Sequence, residues 1–114
     1  MKKITEILKE VNEGAVEKKG RDIVILDVRK LSDITDHYFI ITASTERQLK
    51  AIRDEIEFRL KKKFGIFPKH VEGAPPSLWV VLDYSDFIVH IFEENIRKYY
   101  ELERLWKDAK IKKL

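Results

Sequence analysis

Three histidines, His37, His70 and His90, and four carboxylates close to turns, Asp33, Asp36, Asp83 and Asp86, are the side chains with which this chain could do chemistry. Asp33, Asp36 and His37 lie close enough in sequence to offer a divalent cation two carboxylates and an imidazole. Aspartates in such a loop more often bond their own backbone amides, and that turn reading is favoured. No two histidines stand four apart on a helix, so a zincin-type site is absent. His90, between Val89 and Ile91, reads as a hydrogen-bonded structural residue. Asp83 and Asp86 flank a turn and need no catalytic role. Gly14, Gly20, Gly65 and Gly73 are scattered, so neither G-x-G-x-x-G nor a phosphate-binding loop occurs. Nothing near Ser32, Ser44, Ser77 or Ser85 supplies the positioned histidine that a nucleophilic serine needs. The chain has no cysteine, which removes disulfides, thiol catalysis and cysteine-held metals together.

The elements that must position these residues follow from spacing. Ile4, Ile7, Leu8, Val11 and Ala15 repeat with helical period, and Gly20 is placed to end that helix. Asp22 to Asp27 reads as a strand buried on both faces, and Tyr38 to Thr42 as a second strand. Thr45-Glu46-Arg47-Gln48 fits a capping box, with Gln48 reaching back to its cap. Leu49, Ile52, Ile56 and Leu60 then share one face up to a stop at Gly65. Lys69 to Glu72 is a short extended piece. Trp79–Tyr84 and Phe87–Phe92 form a hairpin about Ser85-Asp86. The segment from Glu93 onward is helical and changes phase near Glu101, with Trp106 on a separate final turn. The order predicts an α/β fold, a mixed sheet of about five strands covered by helices, in one domain over residues 1–114.

A two-residue turn at Ser85-Asp86 pairs Tyr84 with Phe87, Leu82 with Val89 and Val80 with Ile91, a wholly apolar face suited to the core. The other face holds Trp79 with Phe92, Val81 with His90 and Asp83 with Ile88. Either a helix covers it or it binds a protein, since tryptophan and other aromatics anchor interfaces. A three-residue turn would invert the two faces.

Hydrophobic residues make up 44% and charged residues 38% of the chain, with 23 basic and 20 acidic side chains and a net charge of +3. That balance suits neither disorder nor a membrane span. The basic runs are Lys61-Lys62-Lys63 and the tail Lys110, Lys112 and Lys113. They read as a solvated helix end and a frayed tail rather than as a nucleic-acid patch. The charged start Met1-Lys2-Lys3 lacks the apolar stretch of a signal peptide, so a cytoplasmic protein is expected.

Several stretches resemble the ribosomal silencing factor (Iojap) family. Leu26-Asp27-Val28 through Ser32-Asp33-Ile34-Thr35-Asp36 is similar to its first strand and loop, and Ser44 to Gln48 to the start of its central helix. His70-Val71-Glu72-Gly73 matches its third strand. Trp79 to Tyr84 with Asp86 to Phe92 resembles its most distinctive stretch. Arg97, Tyr100 and Leu102 to Trp106 resemble its closing motif. Coverage is nearly the whole chain. His37 stands where the family usually has tyrosine, Ser85 where it usually has glycine, and Pro75-Pro76 replace a more polar loop.

The resemblance implies a nucleotidyltransferase-like fold without the catalytic motif, no enzymatic activity, and neither a cofactor nor a metal. Such an enzyme needs Gly-Ser at a helix start and paired carboxylates for two metals. Here the helix start is Ala43-Ser44, and no Asp-x-Asp or Asp-x-Glu follows on a strand. The resemblance further implies a translational repressor that docks on the large ribosomal subunit through large-subunit ribosomal protein fourteen and blocks joining of the small subunit. It leaves a homodimer and a contact with ribosomal RNA open, and no membrane partner. The expected partner-binding residues are Trp79, Val81, Asp83, His90, Phe92, Arg97, Tyr100 and Trp106. The alternatives are a metal-dependent nucleotidyl-transfer enzyme using Asp33, Asp36, Asp83 or Asp86, and a small RNA-binding module.

Overall fold

Thr45 begins the longest helix by accepting the Gln48 amide at its hydroxyl (3.1 Å), and Gly65 ends it in the left-handed region at φ 66°. The computed structural model describes residues 4–31, 33–73, 78–100 and 110–112. The elements are α1 (Ile4–Glu17), β1 (Arg21–Asp27), β2 (His37–Ala43), α2 (Glu46–Phe64), β3 (His70–Glu72), β4 (Trp79–Asp83), β5 (Phe87–Glu93), α3 (Glu94–Tyr100) and β6 (Lys110–Ile111). The strands form one sheet in the order β3-β4-β5-β2-β1-β6. The β2–β5 pair at its centre is parallel and the other pairs are antiparallel. None of the described helices is long and apolar enough to cross a membrane.

The mixed sheet and its helical cover are as the spacing predicts, and among the described residues the sheet has six strands where about five are expected. The extra strand is β6, in the stretch expected to fray. Ile111 pairs with Leu26 and Lys110 with Asp27, and the Lys112 amide donates to the Ile25 carbonyl (2.8 Å). Without it β1 would be an edge strand with unpaired backbone groups, which a short cationic strand covers well. β1 also departs from the expectation of burial on both faces. Its first residues are exposed, Asp22 takes φ 49°, and the register slips between Arg21 and Val24, so only Ile25 and Leu26 are enclosed.

The helices α1 and α2 cover one sheet face. Ile7, Leu8, Val11 and Ala15 of α1 and Leu49, Ile52, Ile56 and Leu60 of α2 meet Phe39, Ile41, Val80, Leu82, Val89 and Ile91 from the strands. Between the helices, Glu10 is almost enclosed and takes Arg59 (2.8 Å) and Lys63 (2.9 Å), which hold its carboxyl below the usual range. Gln48 ties the two together. Its side-chain nitrogen donates to the carbonyls of Lys18 (3.1 Å) and Lys19 (2.9 Å), while its oxygen accepts the Ser44 amide, one residue before the cap that the capping-box pattern names.

Gly20 ends α1 for a different reason than expected. The left-handed residue is Lys19, at φ 65°. Gly20 sits so close to the sheet that a Cβ would come within 2.9 Å of the Ile41 side chain and 3.0 Å of the Ala15 carbonyl. The bend expected near Glu101 and the Trp106 turn lie outside the described residues.

Candidate functional site

The hairpin between β4 and β5 builds the opposite face of the sheet, and its register is that of a two-residue turn. Trp79 pairs with Phe92, Val80 with Ile91, Val81 with His90, Leu82 with Val89 and Asp83 with Ile88. The turn is heavily tied down. Asp83 accepts the Ser85 amide (2.8 Å), the Thr35 hydroxyl donates to the Ser85 carbonyl (2.8 Å), and the Asp36 amide donates to the Asp86 carbonyl (3.2 Å). Ser85 itself takes φ 73°, a region that glycine enters at lower cost. Asp83 is therefore a turn-forming carboxylate, as its position predicts.

Alternation along the strands sends Leu82, Val89 and Ile91 to the α1–α2 core, and Trp79, Val81, His90 and Phe92 to the other side. There a second apolar cluster forms from Leu26, Val28, Tyr38, Ile40, Ile88 and Phe92, with Trp79, Val81 and Ile96 packed against it. The Trp79 indole lies 4.8 Å from the Phe92 ring, centroid to centroid, and its N–H donates to Nδ1 of His90 (3.1 Å). His90 is also flanked by Tyr38 at 5.4 Å and Phe92 at 6.0 Å. Burial lowers the His90 pKa to about 4, so the ring is neutral at pH 7. Accepting at Nδ1 requires its proton on Nε2. A protonated His90 would present a donor to the indole N–H and break the pair.

The helix α3 closes one end of this face. Glu93 accepts the Asn95 amide (2.9 Å) at its start, and Arg21 pairs with Glu94 (2.5 Å). Arg97 donates to the Thr42 hydroxyl (2.6 Å) and to the Asp22 carbonyl (2.5 Å), which pins the helix across β2 and β1. Ile96 seals the cluster beside Phe92.

Of the residues singled out from the sequence, Trp79, Val81 and Asp83 are half-buried along β4, His90 and Phe92 are enclosed beneath them, and Arg97 sits half-buried on α3. Tyr100 is the last position of α3, and Trp106 lies outside the described residues. Tyr38, Thr42 and Ile96 were not foreseen. Tyr38 and Thr42 depend on the parallel β2–β5 pairing, which brings Tyr38 opposite Ile88 and Thr42 opposite Phe92, and Ile96 depends on α3 folding back onto the cluster. Nothing in the local pattern of β2 names that partner.

The histidines do not converge. His70 is exposed on the edge strand β3. His37 is buried at the start of β2, opposite Asp27, with neither ring nitrogen hydrogen-bonded, and burial lowers its pKa. Asp27 is gripped by the Arg29 guanidinium at 2.6 and 2.9 Å and held well below the usual carboxylate range. Asp33 and Asp36 are exposed. Among the described residues, no three His, Asp or Glu side chains are grouped to hold a metal ion.

Comparison with known proteins agrees with this architecture. A family model described as ribosomal silencing factor during starvation matches residues 1–114. The ribosomal silencing factor of Bacillus subtilis is 36% identical over 103 residues, covering 90% of this chain and 86% of the relative. That of Haemophilus influenzae is 39% identical over 104 residues, covering 90% and 97%. The crystal structure of a protein from Chromobacterium violaceum superposes with a TM-score of 0.88 at 33% identity, covering 93% of this chain and 88% of that one. Both the sequence match and the shared sheet extend over nearly the full length, and on that ground the chain belongs to the ribosomal silencing factor family.

Proposed function

We propose that this protein represses translation by docking on the large ribosomal subunit in the cytoplasm, through large-subunit ribosomal protein fourteen, so that the small subunit cannot join. Family membership supports the ribosomal part of this reading. The observation that carries the choice of surface is the partly buried Trp79, fixed by its hydrogen bond to His90 and its contact with Phe92 at the rim of the cluster. Binding energy concentrates in a few aromatic anchors, and an anchor already held in place loses little freedom on association. Trp79, Val81 and Asp83 make the contact with Arg97 of α3, while the enclosed His90 and Phe92 back the indole, and the family's closing motif adds Tyr100 and Trp106 to the same contact. The role is non-catalytic: Asp83 is occupied in its turn, and the helix start offers Ala43-Ser44 where a nucleotidyltransferase has Gly-Ser.

Sedimentation through a sucrose gradient tests the reading. The protein should travel with free large subunits and not with small subunits. Trp79→Ala should weaken that binding about thirtyfold or more, the loss expected of an interface anchor. Because the indole also packs on Phe92, the variant will melt somewhat lower, so its binding is measured well below its melting temperature. Equal sedimentation with small subunits, or a folded Trp79→Ala that binds like the parent, would refute the proposal.

A further inference from the structure

Two phenylalanines on the helical side of the molecule are exposed beyond anything the fold requires. Phe58 of α2 is 56% exposed, and Phe67, in the segment that follows α2, is 63% exposed. Each carries a lysine over its ring. The Lys62 ammonium stands 5.5 Å from the Phe58 centroid, and that of Lys61 stands 5.9 Å from the Phe67 centroid. Neither lysine takes part in an ion pair among the described residues.

Open clefts flank the rings. One of about 490 Å³ is lined by Glu57, Phe58, Lys61, Phe67 and Pro68. The other, of about 340 Å³, is lined by Glu10, Phe58, Arg59, Lys62 and Lys63. Of the carboxylates here, Glu10 pairs with Arg59 and Lys63, and Glu13 and Glu55 also pair with Arg59. Glu57 remains, against Lys61, Lys62 and the nearby exposed Lys69.

Lysines in the last turn of a helix offset its dipole, and that accounts for the charges. It does not account for two solvent-facing rings set beside them. We propose that this surface binds single-stranded RNA, with unpaired bases stacking on Phe58 and Phe67 and with Lys61 and Lys62 on the adjoining phosphates. A flat ring with a cation beside it matches a nucleotide, which offers a π-face and a negative charge a few ångströms apart. An acidic peptide offers the charge without the face, and a duplex hides its bases. The surface is on the α2 side of the sheet, opposite Trp79, so the two sites can be filled at once. The proposal rests on the ribosomal reading only for the source of the strand, an unpaired segment of large-subunit RNA.

Fluorescence anisotropy with the full chain and a labelled oligouridylate of about ten nucleotides tests it without the ribosome. The parent protein should bind at low salt. Phe58→Ala with Phe67→Ala should weaken binding at least about tenfold while leaving the melting temperature nearly unchanged. Lys61→Gln with Lys62→Gln should make the slope of log affinity against log salt shallower by about 1.4, the change expected for two lost phosphate contacts. Absence of binding by the parent, or equal binding by the phenylalanine variant, overturns the proposal. So does a polyglutamate peptide that competes as well as the oligonucleotide does. Gradients on the same proteins separate the two claims. RNA binding without large-subunit binding leaves this surface standing and removes the docking proposal, and the reverse result removes this surface alone.

Discussion

The two faces of the sheet are built from the same strands by the same alternation, yet they differ in kind. The face under α1 and α2 is closed mainly by aliphatic side chains from two helices and four strands, with Phe39 and the stacked Tyr84–Phe87 pair buried among them. The face under α3 is smaller, is capped by seven residues of helix, and mixes Trp79, Tyr38, Phe92 and Ile88 with His90 and Thr42. Aliphatic packing is tolerant of detail and strongly stabilising. An aromatic and imidazole cluster holds fewer contacts but fixes orientation, because its rings and hydrogen bonds accept few geometries. One face keeps the chain folded, and the other presents a set shape.

The sharpest way to break that division is to remove a large residue from the closed face. Phe39→Ala should cost about 3–5 kcal/mol in chemical denaturation, the loss typical of an enclosed phenylalanine, without changing the affinity of whatever protein remains folded. A comparable loss of affinity would mean that the faces are not separate. The next largest effect belongs to the open face and appears with pH. His90 has a folded-state pKa of about 4 against an ordinary 6.5. The unfolded chain therefore takes up the proton first as pH falls through this window, so stability declines from pH 6.5 toward pH 4. From neutral pH to pH 5 the loss should be about 2 kcal/mol, and His37, lowered in the same sense, adds to it. Denaturation curves at the two pH values would check this, and His90→Gln should abolish most of the dependence that His90 contributes. A flat profile in the parent would show that His90 is solvated rather than enclosed. The smallest effect concerns the turn joining the two strands that carry both faces. Ser85→Gly removes a side chain from φ 73° while keeping both backbone hydrogen bonds. Stability should rise by about 1 kcal/mol or less, seen as a melting point a few degrees higher.

Much of this was legible in the residues. The stripe Leu49, Ile52, Ile56 and Leu60, the cap at Thr45 and the stop at Gly65 marked α2 because each is a local signal. The hairpin register followed from the turn length, and with it the sorting of Trp79 and His90 away from Leu82 and Val89. What was not legible depended on partners distant in sequence. The six-stranded count needed β6, whose two residues carry no strand signal of their own and are ordered by the open edge of β1. The half-exposure of β1 came from a slip at Asp22 that no propensity announces. Tyr38 and Thr42 joined the site through the parallel pairing of β2 with β5. Phe58 and Phe67 fit no periodic pattern, and only their exposure set them apart.

That parallel pair also governs when the molecule can exist. Its strands meet at His37 with Phe87 and at Ala43 with Glu93, so the middle of the sheet joins segments fifty residues apart. Closing so long a loop must precede any reward from the contacts it makes, which slows folding. A chain growing from its amino terminus can form the helix α1 and the β1–β2 ribbon early, but β2 keeps one bare edge until β5 has been made. An amino-terminal piece ending before Phe87 would carry Tyr38-Phe39-Ile40-Ile41 along that unpaired edge, the kind of segment that sticks to its own copies. The inner edge of β2 is thus covered only once β5, through Glu93, is available to pair with it.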